Sequence, residues 1–180
     1  KLVNQKCNVL APDLFKQGEH VLQDSTKTLR DEKEIFFTTY NLTDRQEQIQ
    51  DLITLIYFIK EASNLPGDIS LYSTGNTGIT SLLLATVTND VSQYILDGNH
   101  FNPNSDEEML AVEIPGIMRV GGLKTALALD ADKHLLFYNA HPSFLTSGAI
   151  DISTLEKNKQ NFSITTEDAG EDKIINFLKL

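Results

Sequence analysis

A parallel α/β fold is what this 180-residue chain predicts, on three observations. Short apolar runs alternate with segments of helical periodicity five times over, the pattern of strands laid side by side and joined by crossover helices. Residues 68–88 read as one strand–turn–helix unit with glycines at the turn. The chain is 41% hydrophobic and 22% charged, enough apolar residue to bury a core under a charged surface. The expectation is one domain over residues 1–180, a mostly parallel sheet with helices on both faces.

The elements follow in order. Cys7-Asn8-Val9-Leu10-Ala11 is a short apolar run stopped by Pro12-Asp13, and it reads as a buried strand and a turn. Residues 16–34 are polar and acid-rich, hence a long loop. Thr43-Asp44-Arg45-Gln46 is a capping box, in which a hydroxyl and a Gln three residues on satisfy free N–H groups. Behind it Ile49, Leu52, Ile53, Ile56, Tyr57 and Ile59 recur at helical spacing up to about residue 62. Residues 68–73 are the second strand, 74–78 a tight turn, and 79–88 an apolar helix. Residues 91–96 form the third strand, with Asp97-Gly98-Asn99-His100 its exit turn. Residues 105–129 read as two short helices around Ile114-Pro115-Gly116, and 134–139 as the fourth strand. Asp151 caps a short helix to Lys159, residues 162–165 are the fifth strand, and Asp168 caps a last helix carrying Ile174, Ile175, Phe177 and Leu178.

Composition narrows the function. Fifteen basic against twenty-five acidic residues leave a net charge of −10, which argues against phosphate-backbone binding and against anionic membranes. No apolar run approaches the roughly eighteen residues of a membrane-spanning helix. A single cysteine, Cys7, excludes an intramolecular disulfide and a multi-cysteine zinc site. The chain starts Lys1-Leu2-Val3, without Met or a charged-then-apolar leader, which suggests a processed chain or a fragment and leaves the compartment open.

The unit over residues 68–88 carries most functional information. In a parallel sheet, ligands gather where a strand's carboxyl end meets the next helix's N-terminus. Gly75 and Gly78 supply the tight turn, and Asn76 and Thr77 stand between them. The turn lacks the Gly-Lys-[Ser/Thr] ending of a P-loop and the third glycine of a dinucleotide fingerprint. It reads as a sharp steric turn, as an anion or polar-ligand cradle, or as the seat of a nucleophile, for which a Thr hydroxyl would need an adjacent base. Of the four histidines His20, His100, His134 and His141, none pairs at a ligand spacing of four, so no metal site is expected. His100 and His141 follow strands on the ligand-binding edge and are site candidates, against a plain reading as loop histidines. The acid clusters at 31–34, 106–108 and 167–168 read as solvated faces or helix N-terminal charge. Ile114 to Leu123 is apolar and glycine-rich, a helix-packing turn or the lining of a lid or acyl pocket.

The order of these pieces resembles the α/β-hydrolase superfamily. The likeness is carried by Val9-Leu10-Ala11-Pro12-Asp13-Leu14 with Gly18-Glu19, Thr39-Tyr40-Asn41, a long helix with Gln50-Asp51, the Gly75–Gly78 elbow with Leu82-Leu83-Leu84-Ala85, and Asp97-Gly98-Asn99-His100-Phe101. Pro115-Gly116-Ile117-Met118-Arg119 with Gly121-Gly122-Leu123, and Leu135-Leu136-Phe137-Tyr138-Asn139, complete it. Within the superfamily the bacterial acetylxylan-esterase-like branch is the nearest likeness, over nearly the whole chain.

Such a family implies a Ser at the elbow, an acid after a later strand and a His after the last strand. This chain departs at all three. The elbow reads Ser73-Thr74-Gly75-Asn76-Thr77-Gly78, with the nucleophile position on Gly75, or on Asn76 or Thr77 after a shift of one or two residues. Ala140-His141-Pro142-Ser143 follows the fourth strand, Thr166-Glu167-Asp168-Ala169-Gly170-Glu171 follows the last, and no His lies beyond 141. A triad lacking every member retains at most the weak catalysis of binding and oxyanion donors. The resemblance therefore implies a degenerate, non-catalytic hydrolase-like domain with a binding or scaffold role, without a cofactor. The candidate pocket is Gly75, Asn76, Thr77, Gly78, His100 and His141. One alternative is an esterase using Thr77, His100 and His141 or residues supplied by another segment; another is an anion- or nucleotide-binding domain on the Gly75–Gly78 turn. The partners implied are a small-molecule or carbohydrate ligand. The resemblance also implies that N-terminal strands are missing, one of them between 7–11 and 68–73, to be filled by self-association or a second polypeptide.

Overall fold

The computed structural model describes residues 7–21, 34–61, 67–146 and 161–178. Their sheet holds four parallel strands in sequential order: β1 (Ser70–Ser73), β2 (Gln93–Asp97), β3 (Leu135–Tyr138) and β4 (Phe162–Ile164). The pairing runs Tyr72↔Ile95, Ile95↔Leu136 and Leu136↔Ser163 across the sheet. All four residues of β3 are buried, as expected of a central parallel strand covered on both faces.

The helices are α1 (Phe37–Tyr40), α2 (Asp44–Glu61), α3 (Thr77–Val87), α4 (Asp106–Leu110), α5 (Gly122–Leu129) and α6 (Gly170–Phe177). One face of the sheet offers Tyr94, Leu96, Leu135, Phe137 and Phe162 to a core completed by Leu52 and Ile56 of α2, Leu82 and Ala85 of α3, and Leu123 and Leu127 of α5. The other face offers Ile95, Leu136 and Tyr138 to Ala169 and Ile174, with Phe177 and Leu178 against them. The α/β architecture with helices on both faces stands as expected.

Local signals explain the element boundaries. The capping box at the start of α2 forms: the Thr43 N–H donates to Gln46 Oε1 at 2.9 Å, and the Gln46 N–H to Thr43 Oγ1 at 3.3 Å. α2 then buries Gln48, Leu52 and Ile56, one per turn, while Tyr57 is exposed despite its place in the apolar pattern. α3 is apolar on nearly every side because it lies between α2, α5 and the sheet. The 105–129 segment is α4, a 3-10 turn over Ile117–Val120 and α5, hinged at Gly121, which has φ +93°. Asp168 Oδ1 accepts the Gly170 N–H at 3.3 Å, two residues on, with Ala169 between it and the helix.

One expected strand is absent. Residues 7–11 have no ladder partner and run as irregular chain with Val9 and Leu10 more than half exposed. The anchor is Leu14, buried in the core, beside which the Phe15 N–H donates to Asp51 Oδ2 and Gln48 Nε2 donates to the Phe15 carbonyl. An apolar run as short as this does not by itself distinguish a strand from chain laid along a helix. With no strand at 7–11, the vacant slot expected between it and residues 68–73 does not arise, and β1 is the outer strand of the described sheet. The expected helix over 151–159 and most of the expected loop over 16–34 lie outside the described residues.

Candidate functional site

The carboxyl ends of β1, β2 and β3 are tied together by Asp97. Its Oδ2 accepts the Gly75 N–H at 2.9 Å, and its Oδ1 accepts the Asn99 N–H at 2.8 Å and Asn139 Nδ2 at 3.0 Å. One buried carboxylate thus fixes the turn after β1, the turn after β2 and the end of β3. The exit turns are joined further by backbone bonds: the Gly98 N–H to the Tyr138 carbonyl at 2.7 Å, and the His100 N–H to the Asn139 carbonyl at 2.9 Å. Asn99, His100 and Asn139 all adopt left-handed backbone, with φ of +47°, +54° and +48°. Such conformations persist in non-glycine residues where the surroundings over-determine them, and they gather at functional edges.

Glycines permit this closeness. A Cβ on Gly78 would lie 1.7 Å from the Asp97 carbonyl oxygen, so only glycine lets α3 start against the end of β2. Gly75 has φ +56° with open space around its Cβ position, so it is required by conformation and not by crowding.

The six sequence-derived candidates all follow strand ends at this edge, but of the six only Asn76 lines the cleft described below. Asn76 Oδ1 accepts Asn99 Nδ2 at 2.9 Å. Thr77 Oγ1 donates to the Thr74 carbonyl at 2.8 Å and is oriented into its own turn. His141 Nδ1 accepts the Ser143 N–H at 3.1 Å. A catalytic-triad histidine must donate from Nδ1 to an acid, so His141 is held in the opposite tautomer for that role. The His100 ring is exposed and has no hydrogen-bond partner among the described residues. His134 stacks on Phe177 with ring centroids 4.2 Å apart, in the second apolar cluster and away from this edge.

Beside the turn opens a cleft of about 330 Å³ lined by Arg45, Asn76, Ile79, Asn99, Phe101, Glu108 and Ala111. Arg45 stands in the first turn of α2; its Nη1 donates to Thr80 Oγ1 at 2.6 Å and to the Asn76 carbonyl at 3.2 Å. Burial lowers the pKa of its guanidinium, and the negative field of Glu113 opposes that shift. Glu108 Oε2 accepts the Asn102 N–H at 2.7 Å. On the other side of α4 an open apolar groove of about 860 Å³ contains Met109 and Met118, the chain's two methionines, with Phe37, Ile114 and Ile117. The Ile114–Met118 segment singled out in the sequence lines this groove.

Arg45, Asp97, Asn99, Glu108 and Asn139 were not among the sequence-derived site residues. Asp97 and Asn99 stand in the sequence as an exit turn after a strand and as part of the resemblance, with no site role attached to either. Arg45 reaches a turn 31 residues away, and nothing in its local pattern signals that. Among the described residues no cluster of three or more His, Cys, Asp or Glu could hold a metal ion, and no helix is long and apolar enough to cross a membrane. No protein-family model matches the chain, no curated protein matches it, and no solved structure matches its fold.

Proposed function

We propose that this chain is a degenerate α/β-hydrolase-like domain that does not catalyse hydrolysis and instead binds a small polar ligand, a carbohydrate or an acylated one, in the Arg45–Asn99 cleft. The observation that carries the reading is the Asp97 bond to the Gly75 N–H. At the elbow, where a hydrolase holds its nucleophile above free N–H donors, this chain has a glycine whose N–H is occupied by its own carboxylate. The same bond weighs against an anion cradle on the turn, since an internal anion already sits there. Thr77 and His141 make local bonds that draw them out of any nucleophile–base relay. The cleft keeps the mixed polar and aromatic lining that suits a hydroxylated ligand.

The test is a titration of the isotope-labelled chain with glucose, xylose and an acetylated xylose, followed by amide NMR, beside an aryl-acetate turnover assay. Shifts confined to Asn76, Asn99 and Phe101, with turnover at the buffer rate, are expected. Hydrolysis well above buffer that is lost in Asn76→Ala or Thr77→Ala overturns the reading in favour of an esterase.

A second copy or second polypeptide pairing along β1 is the accompanying proposal for partners. It is supported by the one-sided pairing of β1 among the described residues and by the exposed Tyr72 on it. Native mass spectrometry tests it: a single species at 20.1 kDa removes it.

A further inference from the structure

We infer that the ligand of the cleft carries a carboxylate, received by Arg45, together with hydroxyl groups received by Asn76, Asn99 and Glu108: a sugar acid or a comparable hydroxy acid. The inference rests on the binding role proposed above and names its ligand class. A guanidinium has five N–H donors. Arg45 uses Nη1 for Thr80 and Asn76, and Nε and Nη2 have no acceptor among the described residues. No carboxylate forms an ion pair with it there either. The Nε–Nη2 edge is the side-on fork that matches the two oxygens of a carboxylate. Neither Nε nor Nη2 is among the buried atoms that lack a partner, so this edge is open to solvent at a residue that lines the cleft, where a ligand carboxylate can take the place of water.

The neighbouring groups complete the description. Asn76 retains its Nδ2 donors because only its Oδ1 is engaged, and Asn99 retains Oδ1 as an acceptor. Glu108 retains Oε1. These are partners for hydroxyl groups, which both donate and accept. Glu108 at the cleft, Glu113 nearby and the net charge of −10 disfavour polyphosphates, whereas one carboxylate set on one guanidinium is compatible with them. The volume of about 330 Å³ lies at the small end of ligand clefts and suits a single sugar ring.

The experiment is calorimetric titration of the whole chain with D-glucuronate, D-glucuronamide, D-glucose and inorganic phosphate. Glucuronate is expected to bind at least about tenfold more tightly than glucuronamide or glucose, with phosphate weaker than glucuronate. Arg45→Met is expected to bring glucuronate to the level of glucose, and Arg45→Lys to recover part of the difference. The comparison of glucuronate with its amide uses the unmodified chain, so it stands even where Arg45→Met fails to fold. Equal binding of glucuronate, glucuronamide and glucose overturns the inference and leaves the saccharide-binding reading intact. Phosphate binding more tightly than glucuronate overturns it in favour of a phosphate ligand. No binding by any of the four overturns both.

Discussion

Asp97 Oδ2 accepts the backbone N–H of Gly75 at 2.9 Å, so the carboxylate that ends β2 closes the turn that starts α3. A strand end and a helix start meet there across a gap that only glycine at position 78 permits. The site's shape therefore depends on a few residues whose replacement has calculable effects.

Asp97→Ala is expected to be the most damaging polar substitution at this edge. It removes the acceptor of three hydrogen bonds at once, from Gly75, Asn99 and Asn139. Bonds to a charged acceptor contribute more than neutral ones, and partial access to water offsets some of the loss, so about 2–4 kcal/mol of stability is expected to go. Urea unfolding measures it. A loss below about 0.5 kcal/mol would mean that the backbone bonds between the turns hold this edge by themselves.

The two glycines of the turn are expected to respond differently. Gly78→Ala places a methyl 1.7 Å from the Asp97 carbonyl oxygen, and backbone there must move, so a loss above about 3 kcal/mol is expected. Gly75→Ala meets nothing within 4 Å and adds only the cost of left-handed backbone, about 1 kcal/mol. Thermal unfolding of the two variants side by side checks the ranking, and equal losses would contradict the crowding argument.

What could be read from the chain and what could not divide along a physical line. The Thr43–Gln46 box was legible because both partners lie within one turn. Strand β3 was legible because burial on both faces makes it a continuous apolar run, and β2 because it carries the buried stretch Tyr94-Ile95-Leu96. Residues 7–11 form a similar run and are not a strand, because strand formation depends on a neighbour that sequence does not name. Tyr57 fits the helical pattern and is exposed, because the width of the covered stripe is set by what packs on α2. The glycine turn stands out in the sequence itself, but the reach of Arg45 to Asn76 and the three bonds of Asp97 arise only once the strands are side by side.

The capping box gives a modest, clean prediction. Thr43→Ala loses the hydroxyl that receives the Gln46 N–H and is expected to cost about 1 kcal/mol, while Thr43→Ser retains most of it. Thr43 is itself buried, so the Ser variant separates the capping bond from the packing of the methyl group. Equal losses in Ala and Ser would assign the whole effect to packing.

The strongest pH dependence is expected from Asp130, at the end of α5. Its carboxylate is fully buried, and among the described residues neither oxygen has a well-formed hydrogen bond. Lys133 Nζ lies 3.4 Å from Oδ1, but it also donates to the carbonyls of Ala85 and Thr88, where it closes the C-terminal end of α3. Burial pushes the Asp130 carboxyl up to about 7, against the pull of Lys133, from an ordinary value of 3.8. Between those two values the folded chain holds a proton that the unfolded chain has released. Stability from this group is therefore undiminished below pH 3.8, falls as pH rises, and is lowered in full once pH exceeds about 7. Asp130→Asn removes the charge, so its gain over the parent is expected to be a few kcal/mol at about pH 8.5 and close to nothing at about pH 3.5. Lys133→Met is expected to do the reverse, costing more at the higher pH because it leaves the buried carboxylate uncompensated. Denaturant unfolding of the parent and both variants at the two pH values measures this. A difference between Asp130→Asn and the parent that is the same at both would show that Asp130 titrates in the folded chain as it does in the unfolded one.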